Sequence, residues 1–260
     1  FCKMGKLPKE HKFFDLSDYG RTSGYWIANQ LKNTSFTSIH VTTLFIFVGF
    51  LAVAFILNGY YKTAAVLIII KSILDAADGE LSRLKNQPSY TGRYYDSIAD
   101  FILNFFFLLA FWYDTETSII YMFLAFFCLQ LQGTVYNYYY VILRNVVAGD
   151  STSRVFEDSA PKALKGESQW TVNIFYKIYN ILYITFDKII YYLDKNAWSC
   201  DPFPKWFMTL ISIYGLGFQL LFMSVMLVLN LKYYIIPFFI SYSIFIFLFV
   251  GIRKTLLKTI

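Results

Sequence analysis

The sequence predicts an all-α polytopic membrane protein with six transmembrane helices. The first observation is composition, because 57% of the 260 residues are hydrophobic and only 15% are charged. A soluble domain of this size needs far more surface charge. The second observation is a set of uncharged stretches, each as long as the roughly 20 residues that a membrane helix needs. The third is a pair of shorter apolar stretches that reach this length when joined to acidic neighbours.

Each span follows from one of these stretches. Four are predicted from uncharged sequence: residues 33–61, 117–143, 206–231 and 233–252. The last of these contains Pro237, which membrane helices tolerate. Two more spans, residues 61–85 and 93–113, carry aspartates at one end. The predicted order therefore places acidic residues at the end of the second span and at the start of the third.

The distribution of basic residues predicts the orientation. They are concentrated before the first span, around the link between spans two and three, after the fourth and after the sixth. The positive-inside rule therefore puts both termini and the acidic residues on the cytoplasmic side of the membrane, which in a bacterium is the plasma (inner) membrane. The net charge of +6 is explained by cytoplasmic loops and anionic head groups, so no nucleic-acid partner is needed. Arg253 and Lys254 either anchor the sixth span or bind an anionic ligand.

Two segments lie outside the six spans. Residues 1–32 form a polar juxtamembrane segment with a possible surface helix. Residues 144–205 form a cytoplasmic insertion whose second half has apolar residues at helical spacing, which predicts an amphipathic helix in the membrane interface. A seventh span is the alternative for this half. The predicted division is thus 1–32, spans one to four in 33–143, the insertion 144–205, and spans five and six in 206–260.

Four aspartates stand out in this apolar chain. Asp75 and Asp78 are three residues apart on one predicted helix, and Asp96 and Asp100 are four apart on the next, so each pair shares a helix face. Pro88 ends the first helix, and the short turn makes the two helices antiparallel neighbours. Two carboxylates on each helix then face two on the other.

Four facing carboxylates near a bilayer require cations, since like charges repel strongly at low dielectric. All-oxygen ligands suit Mg²⁺ or Mn²⁺, with Ca²⁺ as a further choice, and two such ions about 4 Å apart are a common device for cleaving phosphate bonds. Arg83 is a natural phosphate partner. Lys71, one turn before Asp75, either pairs with the acids or extends outward to the interface.

These residues resemble the signature of the CDP-alcohol phosphotransferases, D-x2-D-G-x2-A-R-x8-G-x3-D-x3-D. The eight specified positions are occupied with every spacing correct, by Asp75, Asp78, Gly79, Ser82, Arg83, Gly92, Asp96 and Asp100. The one departure is Ser82, where the family usually has Ala; serine is nearly as small, so we expect no loss of activity.

The resemblance implies a six-helix homodimer that moves a phosphoalcohol group from a CDP-linked donor to a hydroxyl and releases CMP. It implies a metal site of Asp75, Asp78 and Asp96, with Asp100 contributing to that site and acting as general base. Two ions would be bound per site. Gly79, Ser82, Arg83 and Gly92 would line the CDP site. Asn33 and Thr37 match polar residues that family members carry near the nucleotide, although simple N-capping explains them equally well.

The expected reaction belongs to phospholipid synthesis. CDP-diacylglycerol is the favoured donor, because acyl tails would enter from the bilayer, and the acceptor is a small polar alcohol from the cytoplasm. The alternative within the family is CDP-choline or CDP-ethanolamine acting on a lipid acceptor. From other classes, a divalent-cation transporter would place its acids at midspan, and a structural membrane protein gives no reason for four aspartates.

Overall fold

The structure is a computed structural model of the chain that describes residues 7–147, 156–157, 159–199 and 202–256. Within these ranges the regular secondary structure is helical, which confirms the predicted all-α class. The α-helices are α1 Arg21–Leu31, α2 Ser38–Leu57, α3 Tyr61–Leu84, α4 Tyr90–Thr115, α5 Ile119–Val146, α6 Gln169–Leu193, α7 Lys205–Ile211, α8 Leu216–Val228, α9 Ile235–Tyr242 and α10 Phe245–Leu256.

Length and composition support four or five of the six predicted spans. α2, α4, α5 and the segment Lys232–Thr255 are each long and apolar enough to cross a membrane. A fifth candidate is the pair Lys205–Tyr214 and Leu216–Val228, which is bent by 51° where the sequence predicted one continuous span over residues 206–231. α3 is long enough, but charged residues recur along it. Its place as a sixth span, and the orientation of the bundle, stay predictions.

The two helices that carry the aspartates are joined by a short turn, as predicted. α3 ends at Leu84, followed by Asn86 in the left-handed region with φ 53° and by Pro88. α4 begins at Tyr90, because the Ser89 hydroxyl accepts a hydrogen bond from the Gly92 N–H at 2.8 Å. α2 packs closely against both helices, whereas the backbones of α3 and α4 approach each other little. The space between them is therefore left to side chains.

Among the described residues, the hydrophobic side chains form one large core and two smaller ones. The large core lies among α2, α3, α4, α8 and α9, with Phe45 and Phe107 fully buried in it. A second core joins α5 to α7 and α10 around Tyr139. A third is small and joins α4 to α6 through Tyr94 and Val172.

The N-terminal segment packs onto the spans. α1 lies along α3, and Gly24 comes so close that a Cβ there would lie 2.9 Å from the backbone nitrogen of Ala77. Further upstream, the turn Leu16–Asp18 lies against the bend before α8, where the Leu16 N–H donates to the Ser212 hydroxyl at 2.9 Å. Residues 7–32 are therefore an integral part of the fold.

The second half of the predicted insertion contains one long helix, α6. Its apolar face packs against α4 and α5, with Val172, Phe186 and Ile190 buried, while Lys177 and Lys188 are exposed. α6 is not among the helices apolar enough to span a membrane in the described part of the chain. Its location in the membrane interface stays a prediction.

Candidate active site

The structure brings the four predicted aspartates together between α3 and α4. Asp75 and Asp78 lie one turn apart on α3, and Asp96 and Asp100 lie one turn apart on α4. Each pair shares a helix face, and these faces point toward the space between the two helices. Asp78 is 6% exposed, and the other three are half-buried.

Three of the carboxylates converge on one point. Asp75, Asp78 and Asp96 each offer an oxygen, and these oxygens lie within 4.8 Å of one another. One oxygen, Oδ1 of Asp96, is buried and has no hydrogen-bond partner among the described residues. A buried carboxylate oxygen without a donor is costly. The three residues therefore fit a metal ion, and their all-oxygen chemistry fits a hard divalent ion such as Mg²⁺ or Mn²⁺.

Asp78 is held in place by a residue that the sequence analysis missed. The hydroxyl of Thr42, on α2, donates to Oδ2 of Asp78 at 2.6 Å, and Thr42 is almost fully buried. Threonines in membrane helices commonly bond to a carbonyl one turn back, as Thr42 also does with Ser38. Its position in the sequence therefore gave no sign of a role beyond that local bond.

The sequence left open whether Lys71 pairs with the aspartates or extends outward to the interface. In the structure its side chain points inward, toward the aspartates. Its Nζ lies 3.0 Å from Oδ2 of Asp75 and also pairs with Oδ1 of Asp100. The ammonium group stands over the ring of Phe45, 4.4 Å from its centre, and the Lys71 side chain is 1% exposed. Asp100 is thus joined to the site through Lys71, while the other three aspartates face one another.

Arg83 and Gly79 lie next to each other near the C-terminal end of α3, the end that is predicted to face the cytoplasm. A Cβ at Gly79 would lie 3.4 Å from the Arg83 guanidinium, so the glycine leaves room for that side chain. The guanidinium pairs with Glu80 at 2.9 Å, and Glu80 also pairs with Arg21 of α1 at 3.1 Å. Glu80 thus already balances Arg83, whose role as a phosphate partner stays a prediction.

Ser82 and Gly92 lie at the two ends of the turn between the motif helices. The Ser82 hydroxyl donates to the carbonyl of Gln87 at 2.9 Å, which an alanine at this position would not do. At Gly92 a Cβ would lie 3.1 Å from the Ser89 hydroxyl, so the glycine permits the close cap at the start of α4. Both small residues shape the turn, and their contact with CDP stays a prediction.

Thr37 and Asn33 lie at the entry to α2. Thr37 is its N-cap, and its side chain and backbone N–H both contact Nδ1 of His40, at 3.1 Å and 3.0 Å. The capping interpretation of Thr37 is therefore confirmed. Asn33 is exposed in the preceding turn. Whether either residue also reaches a nucleotide stays a prediction.

The insertion contributes two glutamates that hold the start of α4, and the sequence analysis missed both. Glu157 pairs with Arg93 at 2.6 Å and accepts a hydrogen bond from Tyr94. Glu167 accepts from the Thr91 N–H at 2.7 Å and from the Ser89 hydroxyl at 2.8 Å. Burial alone would raise the pKa of Glu167, but these hydrogen bonds lower it below the ordinary glutamate value. No local pattern in the sequence links these glutamates to α4.

Arg253 has a partner inside the protein, which the sequence analysis did not predict. It forms a buried ion pair with Asp194, which directly follows α6, and Asp194 also accepts from the Tyr139 hydroxyl at 2.7 Å. The Arg253 side chain is 3% exposed. The predicted roles as a membrane anchor or an anion-binding residue are therefore wrong for Arg253, because its charge is used inside the protein.

Comparison with known proteins adds one positive finding. The family model described as CDP-alcohol phosphatidyltransferase matches residues 36–192. The matched range contains all four aspartates, α2 to α5, and nearly all of α6. No curated protein matches the chain.

Proposed function

Because the chain belongs to the CDP-alcohol phosphatidyltransferase family, we propose that it transfers a phosphatidyl group from CDP-diacylglycerol to a small polar alcohol and releases CMP. Membership of this family implies transfer from a CDP-alcohol to an alcohol. CDP-diacylglycerol as the donor and a small polar alcohol as the acceptor are the parts that we propose. The observation that carries the proposal is the convergence of Asp75, Asp78 and Asp96 around a buried, unpartnered carboxylate oxygen.

The converging carboxylates would hold a divalent ion, Mg²⁺ or Mn²⁺. When bound, such an ion neutralises the diphosphate and stabilises the charge on the departing CMP. Arg83 would add a guanidinium to the phosphates. The remaining nucleotide contacts are proposed for Gly79, Ser82, Gly92, Asn33 and Thr37.

Asp100 is the proposed general base. It takes the proton of the acceptor hydroxyl, whose oxygen then forms a bond to the phosphorus that carries diacylglycerol. The bond from that phosphorus to the oxygen bridging to cytidylate breaks, and its electron pair leaves with CMP. A base must lie within hydrogen-bond reach of the attacking hydroxyl. The position of Asp100 supports this role, since it lies one turn beyond Asp96 and is held by Lys71.

A lipid donor is favoured by the surface next to the site. Beyond Asp100, α4 continues as an apolar helix that passes the criteria for a membrane span, and Ile102 is exposed on it. Acyl chains could therefore lie along this helix while the diphosphate reaches the carboxylates. The alternative, CDP-choline or CDP-ethanolamine with a lipid acceptor, uses the same family chemistry. Family membership argues against a divalent-cation transporter.

The enzyme is proposed to be an integral membrane homodimer with its active site and both termini in the cytoplasm. The basic residues near the turn between α3 and α4 support this orientation. Labelling with a membrane-impermeant thiol reagent tests it, using Gln87→Cys in that turn and Ser118→Cys between α4 and α5. In sealed right-side-out vesicles only Ser118→Cys should react; the reverse pattern would overturn the orientation.

CMP release is the direct test of the reaction. Purified protein in liposomes is given Mg²⁺ or Mn²⁺ and CDP-diacylglycerol with a panel of polar alcohols, or CDP-choline and CDP-ethanolamine with diacylglycerol. We expect CMP only with CDP-diacylglycerol and one alcohol, and a loss of at least about a hundredfold in Asp96→Asn. Release with CDP-choline or CDP-ethanolamine would select the alternative. Undiminished release by Asp96→Asn would contradict the proposed site.

A further inference from the structure

We propose that the ammonium group of Lys71 is a permanent cation of the active site, which takes the place of one divalent ion, so that the chain binds a single Mg²⁺ or Mn²⁺. The inference rests on the proposed function and departs from the two ions that the sequence led us to expect. It assigns Lys71 as a positioning residue, which fixes Asp100 without contacting substrate itself.

The surroundings of Lys71 hold its charge in one place. Its side chain is 1% exposed, so the ammonium cannot extend to the membrane interface. It lies between carboxylates from different helices, Asp75 on α3 and Asp100 on α4, and over the face of Phe45 from α2. Three helices thus surround one nitrogen atom, and a buried charge with two hydrogen-bonded partners is expected to persist.

The same contacts divide the four carboxylates into two sets. Asp75, Asp78 and Asp96 converge within 4.8 Å, and the unpartnered Oδ1 of Asp96 belongs to this set. Asp100 is outside it and is paired with Lys71. A single divalent ion in the first set and the ammonium group in the second give each set its own cation.

A second divalent ion would have to share Asp75 or Asp100 with the ammonium group. It would then lie close to a fixed positive charge in a buried site, where repulsion between like charges is strong. After one divalent ion binds, its two positive charges and that of Lys71 together oppose the four carboxylates. We therefore expect the first ion to bind and the second to be rejected.

The division also gives Asp100 a separate task. A carboxylate that ligates a metal offers its oxygen to the ion, whereas Asp100 is oriented by an ammonium group and keeps an oxygen for the acceptor hydroxyl. Lys71 thus positions the proposed base next to the ion site, and the lysine acts through Asp100.

The test is the number of Mn²⁺ ions bound per chain, measured by equilibrium dialysis and by the loss of the free-ion signal in electron paramagnetic resonance. We expect one ion for the unaltered protein and for Lys71→Arg, which keeps the charge. Lys71→Met should bind two. Lys62→Met, an exposed lysine on the same helix, is the matched control and should bind one. Two ions on the unaltered protein, or none, would overturn the inference.

Asp100→Asn provides a second readout if Lys71→Met does not fold. Since Asp100 is assigned outside the ion site, Asp100→Asn should keep its Mn²⁺ dissociation constant within about threefold. Asp96→Asn removes a ligand and should weaken binding by at least about tenfold. Equal weakening in both variants would show that Asp100 is a ligand and overturn the inference. CMP release measured on the same unaltered protein separates this failure from failure of the proposed reaction.

Discussion

The carboxylate of Asp78 depends on a hydroxyl that belongs to another helix. Thr42 donates to it at 2.6 Å in a buried position, whereas its sequence neighbour Thr43 is exposed and donates to the carbonyl of Ile39. The two threonines form a natural matched pair, because only one of them reaches the acidic cluster.

Thr42→Val removes the donor and keeps the shape of the side chain. A buried acceptor left without its partner costs about 1–3 kcal/mol, so the free energy of unfolding should fall by that amount. Denaturant titration in detergent measures it, with Thr43→Val as the control, which should stay within about 0.5 kcal/mol of the unaltered protein. Equal losses in the two variants would mean that the bond to Asp78 contributes nothing particular.

Individual residues also show which features of the site can be predicted from sequence and which cannot. The spacing of Asp75, Asp78, Asp96 and Asp100 predicted that they share helix faces, because helical periodicity is local. The direction of Lys71 could not be predicted, since burial and exposure of its ammonium depend on where Asp100 and Phe45 lie in space. Thr42 was missed for the same reason, as its partner is 36 residues away.

At the scale of elements, the start of α4 is held by the insertion. Four hydrogen bonds to Glu167 come from the loop before α6 and from the first turn of α4: the N–H groups of Tyr90, Thr91 and Leu164 and the hydroxyl of Ser89. A carboxylate at a helix N-terminus also interacts favourably with the helix dipole. The insertion therefore stabilises the end of α4 that leads to Asp96.

The pH dependence of stability should report this contact. The pKa of Glu167 is lowered in the folded protein from an ordinary value of 4.5, so its ionised form stabilises the fold. That contribution is complete above the ordinary value and is lost as the pH falls through the folded value. Relative to the unaltered protein, Glu167→Gln should lose about 0.5–2 kcal/mol at pH 7, and the difference should shrink as the pH falls below about 4.5.

Thermal unfolding between pH 7 and pH 3.5 makes this comparison. Glu10→Gln, at an exposed glutamate of the N-terminal segment, is the control and should match the unaltered protein throughout. A difference for Glu167→Gln that stayed constant down to pH 3.5 would show that the amide costs packing and that the charge of Glu167 is irrelevant.

Helix positions were predicted well wherever one local signal decided them. α3 was expected over residues 61–85 and runs Tyr61–Leu84, since Pro88 and the polar turn end it. The fifth span was predicted as one uncharged stretch, residues 206–231, but the structure divides it into two helical segments that meet at an angle of 51°. At this bend a Cβ on Gly217 would lie 1.9 Å from the backbone oxygen of Ser17. The bend thus accommodates a segment distant in sequence, which a search for apolar stretches cannot reveal.

At the scale of the whole molecule, one buried ion pair ties the insertion to the last helix. Asp194 follows α6 and is fully buried, and Arg253 lies near the end of α10. The Tyr139 hydroxyl on α5 donates to this carboxylate, and the hydroxyl of its neighbour Tyr138 donates to the backbone carbonyl of Asp194, both at 2.7 Å. Three distant parts of the chain meet at this carboxylate.

Arg253→Met should therefore destabilise the entire fold. Removing one partner leaves the charge of Asp194 buried without compensation, which costs about 3–5 kcal/mol. Lys254→Met, its exposed neighbour, should cost less than about 0.5 kcal/mol. Combining Arg253→Met with Asp194→Leu should recover part of the loss. Thermal unfolding of the four proteins measures these effects, and a harmless Arg253→Met would contradict the assignment.

The contact between the N-terminal turn Leu16–Asp18 and the bend before α8 bears on the order in which the protein is assembled. Leu16 and Ser212 are 196 residues apart. At about 5–20 residues per second, the ribosome takes roughly 10–40 s to make the partner after the first segment has emerged. The turn Leu16–Asp18 therefore remains without this contact during synthesis of the intervening helices, and it docks only when Ser212 has been made.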